Sequence, residues 1–377
     1  MKKFLKLDQT SKSILYIFLI WKVAVLIVAF IAIQTLGFKP SFPYSESLLM
    51  PYGHQLFWGF GNFDGVHYLS IAKSGYSNQY TQAFFPMYPL LVAVLSIFVH
   101  NQLLAALAIS HISLLIALFV FYKLIRLDFD RETALWSIVF LLAFPTSVFF
   151  GAVYTESLFF LFLVSSFYFL RKQEWGKSSF LAAFASATRL VGIFIFPSLL
   201  WEYYKESKIK SWKGREVIAI FLSTIGFLLY SLYLKINFGS FTFFATSQNI
   251  AWQREGFVTL PQVIYRYIKI FITTSVGSDA FLVALNEFVT TAFVILVLVL
   301  SIRKIRTSYI LFSVFAILTP TLTGTLSSMP RYSLLIFPVF MYLGTIKKRQ
   351  YRYALLAMFI LLSIFTISRF TTGWFVS

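Results

Sequence analysis

The amino-acid sequence predicts an all-α protein that crosses a lipid bilayer many times. Of its 377 residues, 59% are hydrophobic and only 12% are charged, well below the roughly 25% charged content of soluble domains. Long apolar runs alternate with short clusters of Lys and Arg, as membrane helices alternate with their connections. Because a span takes roughly 20 residues, the length suits one membrane-embedded domain over residues 1–377, with about 9–11 membrane helices.

The first apolar run predicts a retained span. The basic start at 1–6 and the apolar stretch 14–36 resemble a signal peptide. The stretch is too long for one, however, and no small-residue cleavage pattern follows it. Together with eight later runs, it gives the predicted spans 13–36, 103–125, 133–150, 153–171, 216–238, 281–302, 307–327, 332–346 and 352–370.

The net charge of +18 is interpreted as a topology signal, and no nucleic-acid partner is expected. Short clusters between the apolar runs contain 22 of the 32 Lys and Arg residues, namely 1–12, 123–132, 171–177, 205–215, 303–306 and 347–352. The positive-inside rule places such clusters, and therefore the N-terminus, on the cytoplasmic side. We expect a multi-pass protein of the plasma or inner membrane.

Two segments, 85–100 and 178–204, are ambiguous. If all the basic clusters are cytoplasmic, 85–100 stays on the outer side, and 178–204 enters and leaves on the cytoplasmic side, folding back near Thr188 and Arg189. Broken helices of this kind are tolerated when protein or a wet cavity surrounds them. In the alternative topology, each segment is a full crossing, which fits the charge distribution less well.

Asp64 lies in the first large outer loop, 37–102, before a predicted helix over 65–74 that ends at Gly75. Two roles are open for its carboxylate, namely an N-cap of that helix and a general base fixed by the helix start and kept ionised by its dipole. His67, three residues later, would share a helix face with Asp64, either as a substrate ligand or with no role.

Three further ionisable residues need an explanation, because charge at membrane depth is costly. Glu156 opens a span, where an acid suits the helix dipole or faces a polar cavity. Arg189 lies far from any basic cluster and requires an acidic partner or an anionic ligand. Arg331 follows Pro330 at the start of a span, where it either snorkels to the interface or binds phosphate.

Together, these groups would place two carboxylates and two arginines near the outer side of the membrane. This combination fits transfer from a phosphate leaving group, in which a carboxylate deprotonates the acceptor hydroxyl and arginine stabilises the departing phosphate. Other site classes find little support. The chain has no cysteine, no phosphate-cradling glycine loop and no nucleophile elbow, and its histidines show no metal-ligand spacing.

Several stretches resemble the PIG-V family, the mannosyltransferases that add the second mannose of GPI anchors, with their bacterial relatives. The family belongs to the GT-C superfamily of polytopic glycosyltransferases. The matching stretches, in family order, are FDGVHYLSIAKSGY, FFPMYPLL, VYTESLFFLF, ATRLVGIFIFP with WEYY, SQNIAWQRE, and MPRYSLLIFP. One departure is Phe63, where the family usually has Trp.

The resemblance implies a GT-C-type fold with an outward-facing active site, inversion at the anomeric carbon, and a polyprenyl-phosphate sugar as co-substrate in place of a nucleotide sugar. Under it, Asp64 is the catalytic base and Glu156 a second active-site acid. The substrate-binding residues are then His67, Arg189, Arg331, Gln248, Trp252 and Arg254, and no metal ligand is assigned. The resemblance also favours the first topology, because it places Asp64 and the YTES turn on one side.

We therefore expect a hexosyltransferase, with mannose as the first candidate sugar. Its partners are membrane lipids, the lipid-linked donor and a glycan or glycolipid acceptor. The main alternative is a lipid or sugar transporter or flippase, which would show internal repeats, and none is found. A third possibility is a structural membrane subunit in which the buried charges only pair with each other.

Overall fold

The computed structural model describes residues 8–376 except 43, 208–212 and 255. Within these ranges the chain forms α-helices and 3-10 turns and no β-strand. The α-helices are α1 Gln9–Leu36, α2 Ser45–Leu49, α3 Gln55–Trp58, α4 Asp64–Ser74, α5 Met87–Val99, α6 Gln102–Ile125, α7 Arg131–Ala143, α8 Glu156–Arg171, α9 Trp175–Thr188, α10 Ile195–Ser207, α11 Gly214–Leu222, α12 Ile225–Phe238, α13 Phe243–Trp252, α14 Leu260–Thr273, α15 Asp279–Ser301, α16 Thr307–Thr321, α17 Met329–Tyr332, α18 Phe337–Gly344 and α19 Arg349–Thr371.

Four of these helices, α1, α6, α15 and α19, are long and apolar enough to cross a membrane. Helices α11 and α12 together meet the same criteria but are bent by 49° at the break between them. Other predicted spans are interrupted: in 133–150, α7 ends before Pro145 and is followed by the 3-10 turn Ser147–Gly151. Proline cannot donate a backbone hydrogen bond and disfavours helix in the residue before it. The protein is therefore a multi-pass membrane protein with several broken spans.

The predicted basic clusters meet at one end of the helix bundle. Arg171 and Arg306 both contact Asp128, the second at 3.7 Å. Arg352 lies 2.6 Å from Glu132. These ion pairs join four of the six predicted cytoplasmic clusters, so these four lie at one end of the bundle, and their cytoplasmic location stays a prediction. We call this the Asp128 end.

The opposite end, called the Asp64 end, is tied together by contacts between the first loop and the C-terminus. The Asn62 side chain donates to the Phe370 carbonyl at 2.9 Å, and the backbone amide of Lys39 donates to the Thr372 carbonyl at 2.8 Å. The chain leaves α1 at this end and returns to it at the end of α19.

The segment 178–204 doubles back, as the first topology predicts. Helix α9 ends at Thr188, Arg189 is extended, and the 3-10 turn Leu190–Phe194 leads into α10. The two legs also meet at the ends farthest from Arg189, where the rings of Trp175 and Tyr203 lie 4.9 Å apart. The hairpin therefore begins and ends near the Asp128 end and carries Arg189 at its tip.

Helix α5 remains at the Asp64 end. Its 13 residues span only about 20 Å, less than the roughly 30 Å hydrocarbon core. The Tyr88 hydroxyl, near its start, donates to the Ala106 carbonyl in the first half of α6 at 3.1 Å. The segment 85–100 therefore makes no end-to-end passage.

Aromatic side chains fill the centre of the bundle. Phe121 of α6, Phe160 and Phe167 of α8, and Phe337 of α18 are fully buried. The Phe121 ring lies 5.4 Å from Phe160 and 6.3 Å from Phe337, while Phe167 lies 5.3 Å from Phe337. This packing fixes α8, whose first residue is Glu156, against α18, which follows the short helix α17 that carries Arg331.

Candidate active site

Helix α4 begins at Asp64 and ends before Gly75, which adopts φ 65°. The predicted helix and its glycine stop are confirmed, but the N-cap role for Asp64 is wrong. Phe63 occupies the N-cap position, and Asp64 is the first helical residue. Phe63 has φ 59° and ψ −118°, which is strained for a residue with a side chain. The Asp64 carboxylate points to Arg331 instead of capping the helix.

Asp64, Arg331, Glu156 and Arg189 form a chain of alternating charges. Arg331 Nη1 lies 2.6 Å from Asp64 Oδ2, and Arg331 Nε lies 3.2 Å from Glu156 Oε1. On the other side of the same Glu156 oxygen, Arg189 Nη1 lies 2.6 Å away. The structure thus brings together the four charged residues that the sequence analysis placed in one site.

Each of these residues lies at a break in a helix. Glu156 opens α8 directly after the turn 152–155, which is held by a 2.9 Å hydrogen bond from the Val153 amide to the Phe60 carbonyl. Arg331 lies in the four-residue helix α17, where the Thr146 hydroxyl donates to the Pro330 carbonyl at 2.7 Å. Irregular backbone at these points directs the charged side chains inward.

Aromatic rings cover the two guanidinium groups. Arg189 lies 4.6 Å from the centre of the Tyr332 ring, and Arg331 lies 5.1 Å from that of Tyr154. Guanidinium groups are stabilised over aromatic faces. The sequence analysis assigned no role to either tyrosine. Each lies within two residues of a predicted site residue, and this proximity could have indicated that they belong to the site.

The side chains in this chain of charges differ in their exposure to solvent. The Glu156 side chain is 0% exposed, whereas that of Asp64 is 19% exposed. Burial by itself raises the pKa of the Asp64 carboxyl, but the nearby Arg331 guanidinium outweighs it, and the pKa lies below its usual value. Burial lowers the pKa of His67 from its usual value. Near neutral pH, therefore, Asp64 is ionised and His67 is uncharged.

A cavity of about 400 Å³ opens beside this chain of charges. Seven of the predicted site residues line it, namely Asp64, His67, Arg189, Gln248, Trp252, Arg254 and Arg331. Glu156 does not line it and lies behind Arg189 and Arg331. Glu156 can therefore hold the two arginines in place, while Asp64 reaches the space that a substrate would fill.

The wall formed by α13 and the residues after it carries Trp252 and Arg254. The Trp252 ring lies 5.6 Å from that of His67. Arg254 donates to the Ser327 carbonyl at 3.3 Å, and among the described residues no carboxylate lies within 4 Å of its guanidinium. Its positive charge therefore remains available for an anion in the cavity.

Phe84 and Phe42 complete the surroundings of His67. The Phe84 ring stacks on His67 at 5.1 Å, and Phe42 meets it edge to face at 5.6 Å. Phe84 belongs to the FFPMYPLL stretch, but nothing in the sequence indicated that its ring would lie against His67. The cavity thus joins one accessible carboxylate, three guanidinium groups and several aromatic rings, a set suited to binding a phosphate and a sugar side by side.

Comparison with known proteins identifies the family. A family model described as mannosyltransferase (PIG-V) matches residues 10–348. GPI mannosyltransferase 2 of Drosophila pseudoobscura pseudoobscura is 29% identical over 129 residues, which cover 31% of this chain. The match spans only 28% of the length of that curated relative.

The fold also has a counterpart among solved structures. ArnT of Cupriavidus metallidurans, crystallised with bound undecaprenyl phosphate, superimposes with a TM-score of 0.51 over 94% of this chain and 76% of its own. At 13% identity, this likeness shows the fold alone, and it confirms the predicted GT-C-type helical fold. Because the family model covers most of the sequence, the chain belongs to the mannosyltransferase (PIG-V) family.

Proposed function

We propose that the protein is a membrane glycosyltransferase that transfers a hexose, with mannose as the first candidate, from a polyprenyl-phosphate carrier to an acceptor hydroxyl. The observation that carries this proposal is the placement of Asp64 and Arg331 at 2.6 Å on the wall of one cavity. A carboxylate that can act as a base and a guanidinium that can bind phosphate are thereby held side by side. Family membership supports the type of reaction.

Asp64 acts as the general base in this scheme. Its carboxylate takes the proton of the acceptor hydroxyl while the acceptor oxygen forms a bond to the anomeric carbon. The bond between that carbon and the phosphate oxygen breaks, and the polyprenyl phosphate leaves with the electron pair. One base and one displacement invert the anomeric configuration, so no covalent sugar–enzyme intermediate is required.

The arginines bind the phosphate and stabilise it as the leaving group. Arg254 has no carboxylate within 4 Å among the described residues, and Arg189 and Arg331 reach the same cavity. Guanidinium groups bind phosphate oxygens with paired hydrogen bonds and stabilise the charge that develops as the phosphate departs. Glu156, buried behind them, is a positioning residue that holds both guanidinium groups.

An adjoining groove of about 710 Å³ supports a lipid-linked donor. It shares Leu190, Gln248 and Arg254 with the active-site cavity and continues along Phe244 and Phe257. A phosphate at Arg254 would leave the attached prenyl chain in this partly apolar groove. Bound undecaprenyl phosphate in ArnT is a precedent for a carrier of this kind in the same fold.

The proposed orientation places the Asp64 end on the outer face. The basic clusters gather at the Asp128 end, and the positive-inside rule assigns such clusters to the cytoplasm. The N-terminus would then be cytoplasmic and the cavity would face outward, where it meets a glycan or glycolipid acceptor.

Reconstitution into proteoliposomes tests the proposal. With radiolabelled polyprenyl-phosphate mannose and a membrane extract as the acceptor source, we expect labelled product from the wild type and none from Asp64→Asn. A parallel reaction with a labelled nucleotide sugar should give no product. Transfer from the nucleotide sugar, or movement of the lipid-linked sugar across the bilayer without covalent change, would overturn the proposal.

A further inference from the structure

A second cavity of about 390 Å³ adjoins the active-site cavity. It lies between α14, α15 and the residues after α19, and its walls include Tyr267, Glu287 and Trp374. It shares Ser41, Ser327 and Phe375 with the active-site cavity. A molecule bound in this second space, called the Glu287 cavity, can therefore extend into the first.

Glu287 is a buried acid that the catalytic scheme does not use. It lies in the apolar helix α15, and only 5% of the residue is exposed. The Tyr267 hydroxyl donates to Glu287 Oε2 at 2.5 Å. An acid within a membrane helix is costly and indicates a functional site when it faces a cavity. A carboxylate accepts hydrogen bonds and attracts hydroxyl-rich ligands more readily than anions.

Phe375 provides an aromatic surface between the two cavities. The residue is 38% exposed, and its ring meets that of Phe63, the residue before Asp64, at 5.7 Å. The neighbouring Trp374 is less available, because Arg369 lies 4.5 Å and Lys39 5.3 Å from the centre of its ring. A flat apolar ligand face would therefore stack on Phe375, next to the proposed base.

The geometry points to the Glu287 cavity as the binding site for the acceptor, and to a neutral sugar ring as the part of the acceptor bound there. Glu287 accepts hydrogen bonds from the sugar hydroxyls, the apolar face of the ring rests on Phe375, and the hydroxyl to be glycosylated reaches Asp64. This assignment rests on the proposed glycosyl transfer and adds the acceptor class and its ligands.

The two sides of the active-site cavity support this division. Arg254 lies with Gln248 and Leu190 on the wall shared with the groove proposed for the prenyl chain. Ser41, Ser327 and Phe375 lie on the wall next to the Glu287 cavity. The two walls meet where Arg254 donates to the Ser327 carbonyl at 3.3 Å. Donor and acceptor would thus enter the cavity through different openings and bring phosphate and hydroxyl together beside Asp64.

A binding experiment tests the site without relying on transfer. The wild type in lipid nanodiscs is titrated with methyl α-mannoside and α-1,2-mannobiose, and binding is followed by saturation-transfer NMR. We expect saturable binding that weakens at least tenfold in Glu287→Gln and in Phe375→Ala. Glu202→Gln removes another buried acid, at the Asp128 end, and should bind like the wild type. Absence of sugar binding, or equal binding by all variants, would overturn the assignment.

Kinetics separate an acceptor role from a structural one. In the transfer assay, Glu287→Gln and Phe375→Ala should raise the acceptor KM about tenfold and leave the donor KM unchanged. A higher donor KM, or a loss of thermal stability with unaltered KM values, would contradict an acceptor site. If the wild type binds the sugars but transfers nothing from the polyprenyl donor, the proposed function fails while the sugar site stands.

Discussion

The Arg331 guanidinium donates a 2.6 Å hydrogen bond to the Asp64 carboxylate across a separation of 267 positions in the chain. Glu156 lies 3.2 Å from the same guanidinium, so Arg331 faces two carboxylates. A bound phosphate would compete for this guanidinium and leave Asp64 free to accept a proton. The pair would thus couple phosphate binding to the availability of the proposed base.

Replacing Asp64 with Asn should abolish most of the transfer. A positioned general base contributes about 10²–10⁴-fold to rate, so kcat should fall by that factor while the protein remains folded. Steady-state assays in proteoliposomes measure the change. Asp8→Asn is the matched control, because Asp8 caps α1 at the other end of the bundle and Asn caps equally well. Undiminished transfer by Asp64→Asn would exclude this residue as the base.

Replacing Glu156 with Gln should mainly affect stability. The variant leaves two guanidinium groups without their shared, fully buried carboxylate. Removing one partner of a buried ion pair costs about 3–5 kcal/mol. We expect a clearly lower Tm than for Asp64→Asn, whose side chain is partly exposed. Thermal unfolding in a single detergent compares the two variants, and equal Tm values would contradict the buried role of Glu156.

Arg254 variants test the phosphate site. Because the Arg254 guanidinium donates only to a backbone carbonyl among the described residues, Arg254→Ala should leave Tm nearly unchanged. The donor KM should rise at least tenfold, since a charged hydrogen bond to phosphate is lost. Arg254→Lys keeps the charge without the paired hydrogen bonds, so its donor KM should lie between those of the wild type and Arg254→Ala. A donor KM unaffected in both variants would remove Arg254 from the donor site.

The pH dependence of transfer follows from Asp64. The base acts when unprotonated, so activity is present above its pKa and is lost as the pH falls through it. Since Arg331 holds that pKa below the usual 3.8 in the free enzyme, kcat/KM should be flat between about pH 5 and 8. His67 has a pKa lowered by burial, so His67→Asn should leave the profile unchanged in this range. An acidic limb near pH 6 that disappears in His67→Asn would assign the titration to His67.

Packing of the re-entrant hairpin depends on Gly226 of α12. A Cβ at this position would lie 2.1 Å from the Ala183 carbonyl oxygen of α9, so Gly226→Ala must push the two helices apart. Overpacking of this kind costs about 1–3 kcal/mol, and it would displace Arg189 at the hairpin tip. We expect a lower Tm and a higher donor KM. Gly176→Ala, in open space at the start of α9, should change neither quantity.

Much of the helical framework followed from apolar periodicity and charge clusters. The basic clusters gathered at one end, and the segment 178–204 doubled back at Thr188 and Arg189, because burying these charges in lipid is costly. Breaks such as that after α7 were harder to place. They depend on Pro145 and on contacts between distant segments, which local hydropathy does not record.

The candidate site was predicted as a set of residues but not as an arrangement. Local sequence left an N-cap role open for Asp64, whereas an arginine 267 positions later in the chain determines where its carboxylate points. Glu287 was missed, although it is an acid inside an otherwise apolar helix. The argument applied to Glu156 would have singled it out as well.

Three arginines, Arg189, Arg254 and Arg331, line the active-site cavity, whereas Asp64 is the one carboxylate among the described residues that line it. A sugar-loaded carrier is a phosphodiester with one negative charge, whereas the unloaded carrier is a monoester with about −1.5 to −2. The same guanidinium groups would therefore retain the unloaded carrier more tightly than the loaded one. Turnover in a membrane would then depend on how quickly the used lipid departs, and added polyprenyl phosphate would act as a competitive inhibitor of the donor.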